Sequence, residues 1–126
     1  MIHLDTSVVI DALTGPRRSA SLLRRAIERG RRVTLSALVL YEWRRGPRRS
    51  EEVAAQEALF PSAAAVPFGP DEAALAARLY GTVRRARGRE IDLAIAACAL
   101  AHGAGFWPLN PQDFRDVPDL TLFVPD

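Results

Sequence analysis

Short apolar runs alternate along the chain with longer stretches in which apolar residues recur at helical spacing. Residues 1–5 predict a short strand, and Thr6 and Ser7 are suited to cap a helix over 8–13, which Gly15-Pro16 ends. A second helix is expected over 17–28. Leu22, Leu23, Ala26 and Ile27 form its apolar stripe, Arg24, Arg25, Glu28 and Arg29 face water, and Gly30 closes it. A strand at 33–35 leads into a helix over 36–46 through Leu38, Val39, Leu40 and Trp43. After Gly46-Pro47, Ser50-Glu51-Glu52 opens a fourth helix, which Pro61 stops, and 64–67 reads as a third strand. Pro70-Asp71-Glu72 starts a helix striped by Leu75, Leu79 and Val83 up to Gly88, with its acids favourable to the helix dipole. The helix over 90–102 is apolar almost all round and is expected to be buried. Strands at 106–107 and 120–124 complete the pattern. Strands alternating with helices predict an α/β fold, a mostly parallel central sheet with helices on both faces. With no linker, repeat or low-complexity segment, residues 1–126 read as a single domain.

Composition narrows the chemistry only a little. An apolar fraction of 48% and a charged fraction of 25% are those of a folded protein. All 17 basic residues are Arg, whose planar fork suits phosphate, although a net charge of +2 is too small to establish a polyanionic partner. The lone Cys98 excludes an internal disulfide or a cysteine zinc cage and reads as a buried thiol; His3 and His102 have no spacing that suggests a metal pair. The N-terminus has no basic lead to an apolar segment, and no apolar run approaches the roughly 20 residues of a membrane span, so the expectation is a soluble cytoplasmic protein.

The positions of three acids are more informative. Ligands of open parallel sheets bind beyond the carboxyl ends of the strands, and Asp5 stands there, immediately before a helix. Alone, it could equally be a helix cap. Glu42 shares part of the face of Leu38 and Val39, where a carboxylate needs a positive partner: an arginine or a cation. Asp92 lies in the first turn of the most apolar helix, where Glu90 could already serve the dipole. Three such acids cannot crowd together without a cation, and an all-oxygen set prefers Mg²⁺ or Mn²⁺, which hold phosphate and activate water. Arg44, Arg45, Arg48 and Arg49 follow Glu42, and Arg84, Arg85, Arg87 and Arg89 precede Asp92. An acidic centre with a basic rim suits a polyanionic substrate, with Arg44, Arg45, Arg84 and Arg85 as contacts; either run alone could be a solvated helix end. Trp43, Trp107 and Tyr80 are better placed as core than as stacking platforms.

The stretches Leu4-Asp5-Thr6-Ser7-Val8-Val9-Ile10, Leu40-Tyr41-Glu42-Trp43-Arg44-Arg45-Gly46 and Asp92-Leu93-Ala94-Ile95-Ala96-Ala97-Cys98-Ala99 resemble the three signature segments of PIN domains, most of all those of VapC-type toxins. Asn110-Pro111-Gln112-Asp113-Phe114 resembles a fourth element, and the likeness runs in order over essentially the whole chain. It implies an Mg²⁺- or Mn²⁺-dependent endoribonuclease acting on structured RNA such as tRNA or ribosomal RNA. Asp5, Glu42 and Asp92 would hold the metal directly or through water, and Thr6 or Ser7 would orient Asp5 or the phosphate. An activated water would leave a 5′-phosphate and a 3′-hydroxyl. A homodimer and a VapB-type antitoxin are implied as partners.

Two positions depart from the family pattern. Asn110 stands where some members carry a fourth acid, with Asp113 placed either to supply that charge or to cap the short helix after it. Pro108 replaces a small hydroxyl residue and removes a backbone donor, so the alternative is a weak or inactive RNA- or partner-binding module of the same fold. A phosphate-loop enzyme is disfavoured by the absence of any Lys and of a Gly-rich loop after the first strand, and Ser7 stands where a phosphatase would want a second acid.

Overall fold

The computed structural model describes residues 1–126. Strand β1 (Ile2–Leu4) is central, with β2 (Val33–Thr34) and β3 (Gly105–Trp107) parallel on either side. The register pairs His3 with Thr34 on one side and with Phe106 on the other. Six helices connect and cover this sheet: α1 (Thr6–Leu13), α2 (Arg18–Glu28), α3 (Ala37–Arg45), α4 (Ser50–Leu59), α5 (Pro70–Thr82) and α6 (Glu90–Ala101). Because all three strands run the same way, their carboxyl ends share one edge, where Asp5 and the segment after Trp107 emerge together. No helix is long and apolar enough to cross a membrane.

The strands expected at 64–67 and 120–124 contract to single parallel bridges, Val66 with Ser36 and Leu122 with Phe106. Val66 has room for little more, since Pro67 follows at once and the start of α5 lies just beyond. On the other side Phe123 donates to the Phe106 carbonyl, and the next residue facing the same neighbour is Pro125, which has no N–H to continue the ladder.

Helix boundaries moved for identifiable reasons. Helix α1 begins at Thr6, because Asp5 itself is the cap: its backbone is extended and its carboxylate accepts from the Ser7 N–H. Thr6 and Ser7 therefore lie inside the first turn instead of capping it. Helix α2 begins after Arg17, held in the left-handed region at φ 56°, and its first turn is satisfied from α1, where Asp11 accepts from the N–H and hydroxyl of Ser19. Helix α5 ends at Thr82, not at Gly88. Val83 adopts an extended backbone yet stays buried, so the apolar stripe continues by packing after the helix has stopped.

Helix α6 meets the expectation of burial: residues 93–99 are all buried, and it packs against α5, α3 and β3. With Leu4, Val8, Leu35, Val39, Trp43 and Phe106 it forms the core, each large side chain contributing about 1.5–3 kcal/mol. Trp43 and Trp107 are core as expected, whereas Tyr80 is 43% exposed and Ile27, assigned to the buried stripe of α2, is 42% exposed. Cys98 is buried, and burial pushes its thiol up to about 11, which leaves it unreactive.

Candidate active site

Two hydroxyls organise the carboxyl edge of the sheet. Asp5 is almost wholly buried at the end of β1, and Ser7, in the first turn of α1, donates its hydroxyl to Asp5 Oδ2 at 2.5 Å. The same Ser7 Oγ accepts the backbone N–H of Leu109 at 3.0 Å, tying the segment after β3 to the acid. Pro108 is buried and offers no N–H, but the neighbouring amide makes this link. Thr6, also buried, donates to Glu42 Oε1 at 2.6 Å and fixes the α3 carboxylate against the start of α1. Glu42 Oε2 faces Arg45 at 3.4 Å. Thr6 thus positions Glu42, and Ser7 positions Asp5.

Asp92 comes from the first turn of α6 and is exposed, although the helix that it opens is buried from Leu93 onward. It nevertheless shares the field of the other acids. Burial holds the Asp5 carboxyl above the usual carboxylate range, the Ser7 hydrogen bonds pull it back, and the charge of Asp92 pushes it up again. Partial desolvation raises Asp92 too, followed by the charge of Glu42; Arg89 opposes this and Asp113 adds to it. Asp5, Glu42, Asp92 and Asp113 therefore form one electrostatic group with too little positive charge of its own. Asn110, three residues before Asp113, donates its side-chain amide to Asp113 Oδ1 at 3.3 Å.

The acids form an open cluster, not a closed cage: no three His, Cys, Asp or Glu side chains stand close enough to grip one ion directly. That arrangement suits a hard cation that keeps much of its water shell. Mg²⁺ usually takes only one or two carboxylates directly. The donors are all oxygen, and the carboxyls of Asp5 and Asp92 are raised first by burial and further by neighbouring carboxylates, a repulsion that a bound cation would relieve. Asp5, Glu42 and Asp92 fit such an ion.

The two arginine runs, alike in sequence, differ in the fold. Arg44 is bound to Gln56 at 3.1 Å, Glu57 at 2.6 Å and Ser62 at 3.2 Å, pinning α3 to α4. Arg48 donates to the Trp43 carbonyl and lies 4.3 Å over its ring, and Arg49 faces Glu52 at 3.6 Å. In the second run Arg84 and Arg85 are exposed and unpaired, while Arg89 grips both oxygens of Asp116 at 2.6 and 2.9 Å and donates to the Asp113 carbonyl. Arg89 and Asp116 were not singled out from the sequence as a pair. Their separation of 27 residues carries no local signal, yet they fasten the loop bearing Asn110 and Asp113 to the turn bearing Asp92.

A parallel α/β domain with a carboxylate cluster at the carboxyl edge of its sheet is the class defined by this fold and site. The chain belongs to the PIN-domain family: the PIN domain model matches residues 2–120. It is 34% identical over 119 residues to Ribonuclease VapC19 of Mycobacterium tuberculosis, covering 93% of this chain and 94% of the relative. Among solved structures it superposes on DNA-bound VapBC from Salmonella typhimurium with a TM-score of 0.80, at 19% identity and over 97% of this chain and 96% of the other. It also superposes on a toxin–antitoxin complex from Klebsiella pneumoniae with a TM-score of 0.71, at 22% identity and over 96% of both chains.

Proposed function

We propose that this PIN-domain protein is a metal-dependent endoribonuclease, the toxin of a type II toxin–antitoxin pair, and that it cleaves structured RNA such as tRNA or ribosomal RNA. One observation supports the reading: Asp5, Glu42 and Asp92 share one field of negative charge, with Asp5 and Glu42 tethered by hydroxyls, in a fold whose curated relative is named a ribonuclease. Mg²⁺ or Mn²⁺ bound there supplies Lewis-acid stabilisation of phosphate charge and an acidified water. The chain's own contribution is positional. Ser7 orients Asp5, Thr6 holds Glu42, and the Arg89–Asp116 clamp sets the loop of Asp113 against Asp92. Such preorganisation keeps the carboxylates in place to hold a cation, so the site need not reorganise at the moment of reaction.

The same reading gives the chain a VapB-type antitoxin, a homodimeric state and a place in the cytoplasm, supported by its likeness to VapBC and toxin–antitoxin complexes. Leu23 and Val39 are buried in the core, while Ile27, Tyr41 and Leu59 are among the exposed apolar side chains open to a partner. The test is cleavage of total tRNA and ribosomal RNA by the purified, antitoxin-free protein. Discrete fragments that appear with Mg²⁺ or Mn²⁺, vanish with EDTA and vanish in Asp5→Ala are expected. Tight RNA binding with no cleavage under any metal would contradict the proposal and favour the non-catalytic module.

A further inference from the structure

Beside the acidic cluster an open groove of ≈ 880 Å³ runs along the α5–α6 connection and the loop after β3. Its charged lining is Arg84, Arg85, Arg89, Asp92, Asp113, Arg115 and Asp116. Arg89 and Asp116 neutralise one another in the clamp. Three guanidiniums remain, those of Arg84, Arg85 and Arg115; all three are exposed and have no hydrogen-bond or ion-pair partner. The two remaining carboxylates, Asp92 and Asp113, belong to the acidic cluster. The groove is therefore basic along its outer length and acidic where it meets the reacting centre.

The Arg44–Arg49 run is different. Arg44, Arg45, Arg48 and Arg49 are engaged by Glu57, Glu42, Trp43 and Glu52 respectively, so a phosphate there would compete with a contact already made: Arg44 joins α3 to α4, Arg48 folds back on the end of α3, and Arg45 and Arg49 make exposed pairs beside their own helices. We propose that the RNA strand reaches the acidic centre from one side only, along the Arg84–Arg85–Arg115 groove, with these three arginines on the phosphates flanking the scissile one. The Arg44–Arg49 run is then taken up by contacts within the protein, with Arg44 bracing α3 against α4. The inference rests on the ribonuclease reading for the identity of the polyanion and adds the route, the residue Arg115 and the exclusion of the other basic run.

The experiment measures binding of a short fluorescein-labelled single-stranded RNA of mixed sequence to the full chain in EDTA, across a series of salt concentrations. At roughly 0.7 counterions released per phosphate contact on single-stranded nucleic acid, changing Arg84, Arg85 and Arg115 together to Ala should lower the slope of log affinity against log salt by about 2. Affinity at low salt should fall by about tenfold or more. The triple Lys variant should recover most of the slope, since it restores the charges; a merely structural role would not be rescued this way. Arg45→Ala with Arg49→Ala should leave the slope unchanged. An unaltered slope in the triple Ala variant, or a larger loss in the Arg45 and Arg49 variant, overturns the route. So does the absence of salt-dependent RNA binding by the wild-type chain, which would hand the groove to an acidic protein segment. Cleavage in Mg²⁺, measured on the same preparations, separates the two claims. Cleavage with an unaltered slope in the triple Ala variant refutes the route alone, and a reduced slope without wild-type cleavage refutes the nuclease alone.

Discussion

Replacing Thr6 by Val removes one oxygen and little else, which makes it a sharp probe of how Glu42 is held. The Thr6 hydroxyl donates at 2.6 Å to a carboxylate whose side chain is only 17% exposed, and Thr6 itself is 8% exposed. A hydrogen bond to a charged group contributes about 1.5–3 kcal/mol net. The methyl group that replaces the hydroxyl recovers up to about 0.8 kcal/mol of apolar burial. Arg45 does not make up the difference, because it meets the other oxygen at 3.4 Å from an exposed position, where such pairs are worth roughly 0–1 kcal/mol. The expected net loss is about 1–2 kcal/mol, or a midpoint lower by roughly 4–8 °C for a chain of this size. If the same tether positions Glu42 for reaction, kcat/KM falls about tenfold, since 1.36 kcal/mol corresponds to one decade. Thermal unfolding followed by circular dichroism in EDTA, together with cleavage titrated against Mg²⁺, would measure both. Excess Mg²⁺ should restore part of the rate, and Thr6→Ser should restore nearly all of it. A variant with wild-type midpoint and wild-type rate would refute the idea that Thr6 holds Glu42.

Asp92→Asn should abolish cleavage while leaving the circular dichroism spectrum and RNA affinity near wild type, because it removes charge from the cluster but almost no volume; unchanged turnover would remove Asp92 from the site. Ser7→Ala takes away the hydroxyl that lowers the Asp5 carboxyl, so the acid limb of the pH–rate profile should move to higher pH, and a limb that stays put or moves down would show that Ser7 does not tune Asp5. His3 is 1% exposed with neither ring nitrogen hydrogen-bonded, and burial, then His102, then the N-terminal charge hold it down at about 4. The unfolded chain binds this proton near pH 6.5 and the folded one does not, so stability should fall as pH drops from about 7 towards 5 and lose about 3 kcal/mol in full once both states are protonated. Urea unfolding across that window should show the decline in the wild type and a flatter profile in His3→Leu; equal slopes would exclude His3 as its source.

Much of this architecture is legible along the chain because its signals are local. Gly15-Pro16, Gly30 and Pro61 mark helix ends, and the near-continuous apolar character of α6 announces its burial. Asp5 is visible because the end of a strand and the start of a helix meet at one residue, and it turned out to be both a cap and a member of the acidic group. What stayed hidden depends on contacts far apart in sequence. Arg44 looks like Arg84 until Glu57 and Ser62 come round to meet it. The division of labour between Thr6 and Ser7 depends on where α3 and the loop at Leu109 fall, and nothing near Arg89 points to Asp116. The outer strands were over-read for a related reason: apolar residues at 64–67 and 120–124 do pack beside the sheet, but prolines and the start of α5 limit each to one bridge.

The most direct test of the acidic centre is the chemistry of the ends it leaves. Water attacking phosphorus and expelling the 3′ oxygen gives a 5′-phosphate and a 3′-hydroxyl, the outcome suited to a carboxylate cluster that recruits Mg²⁺ or Mn²⁺. Attack by the neighbouring 2′-hydroxyl would give a 2′,3′-cyclic phosphate and a 5′-hydroxyl, with no need of Asp5, Glu42 and Asp92 as a group. Fragments cut from tRNA or ribosomal RNA by the wild-type chain should therefore be sensitive to a 5′-monophosphate-dependent exonuclease and open to ligation at their 3′ ends. Cyclic phosphate termini formed equally well by Asp92→Asn would contradict the account at its centre.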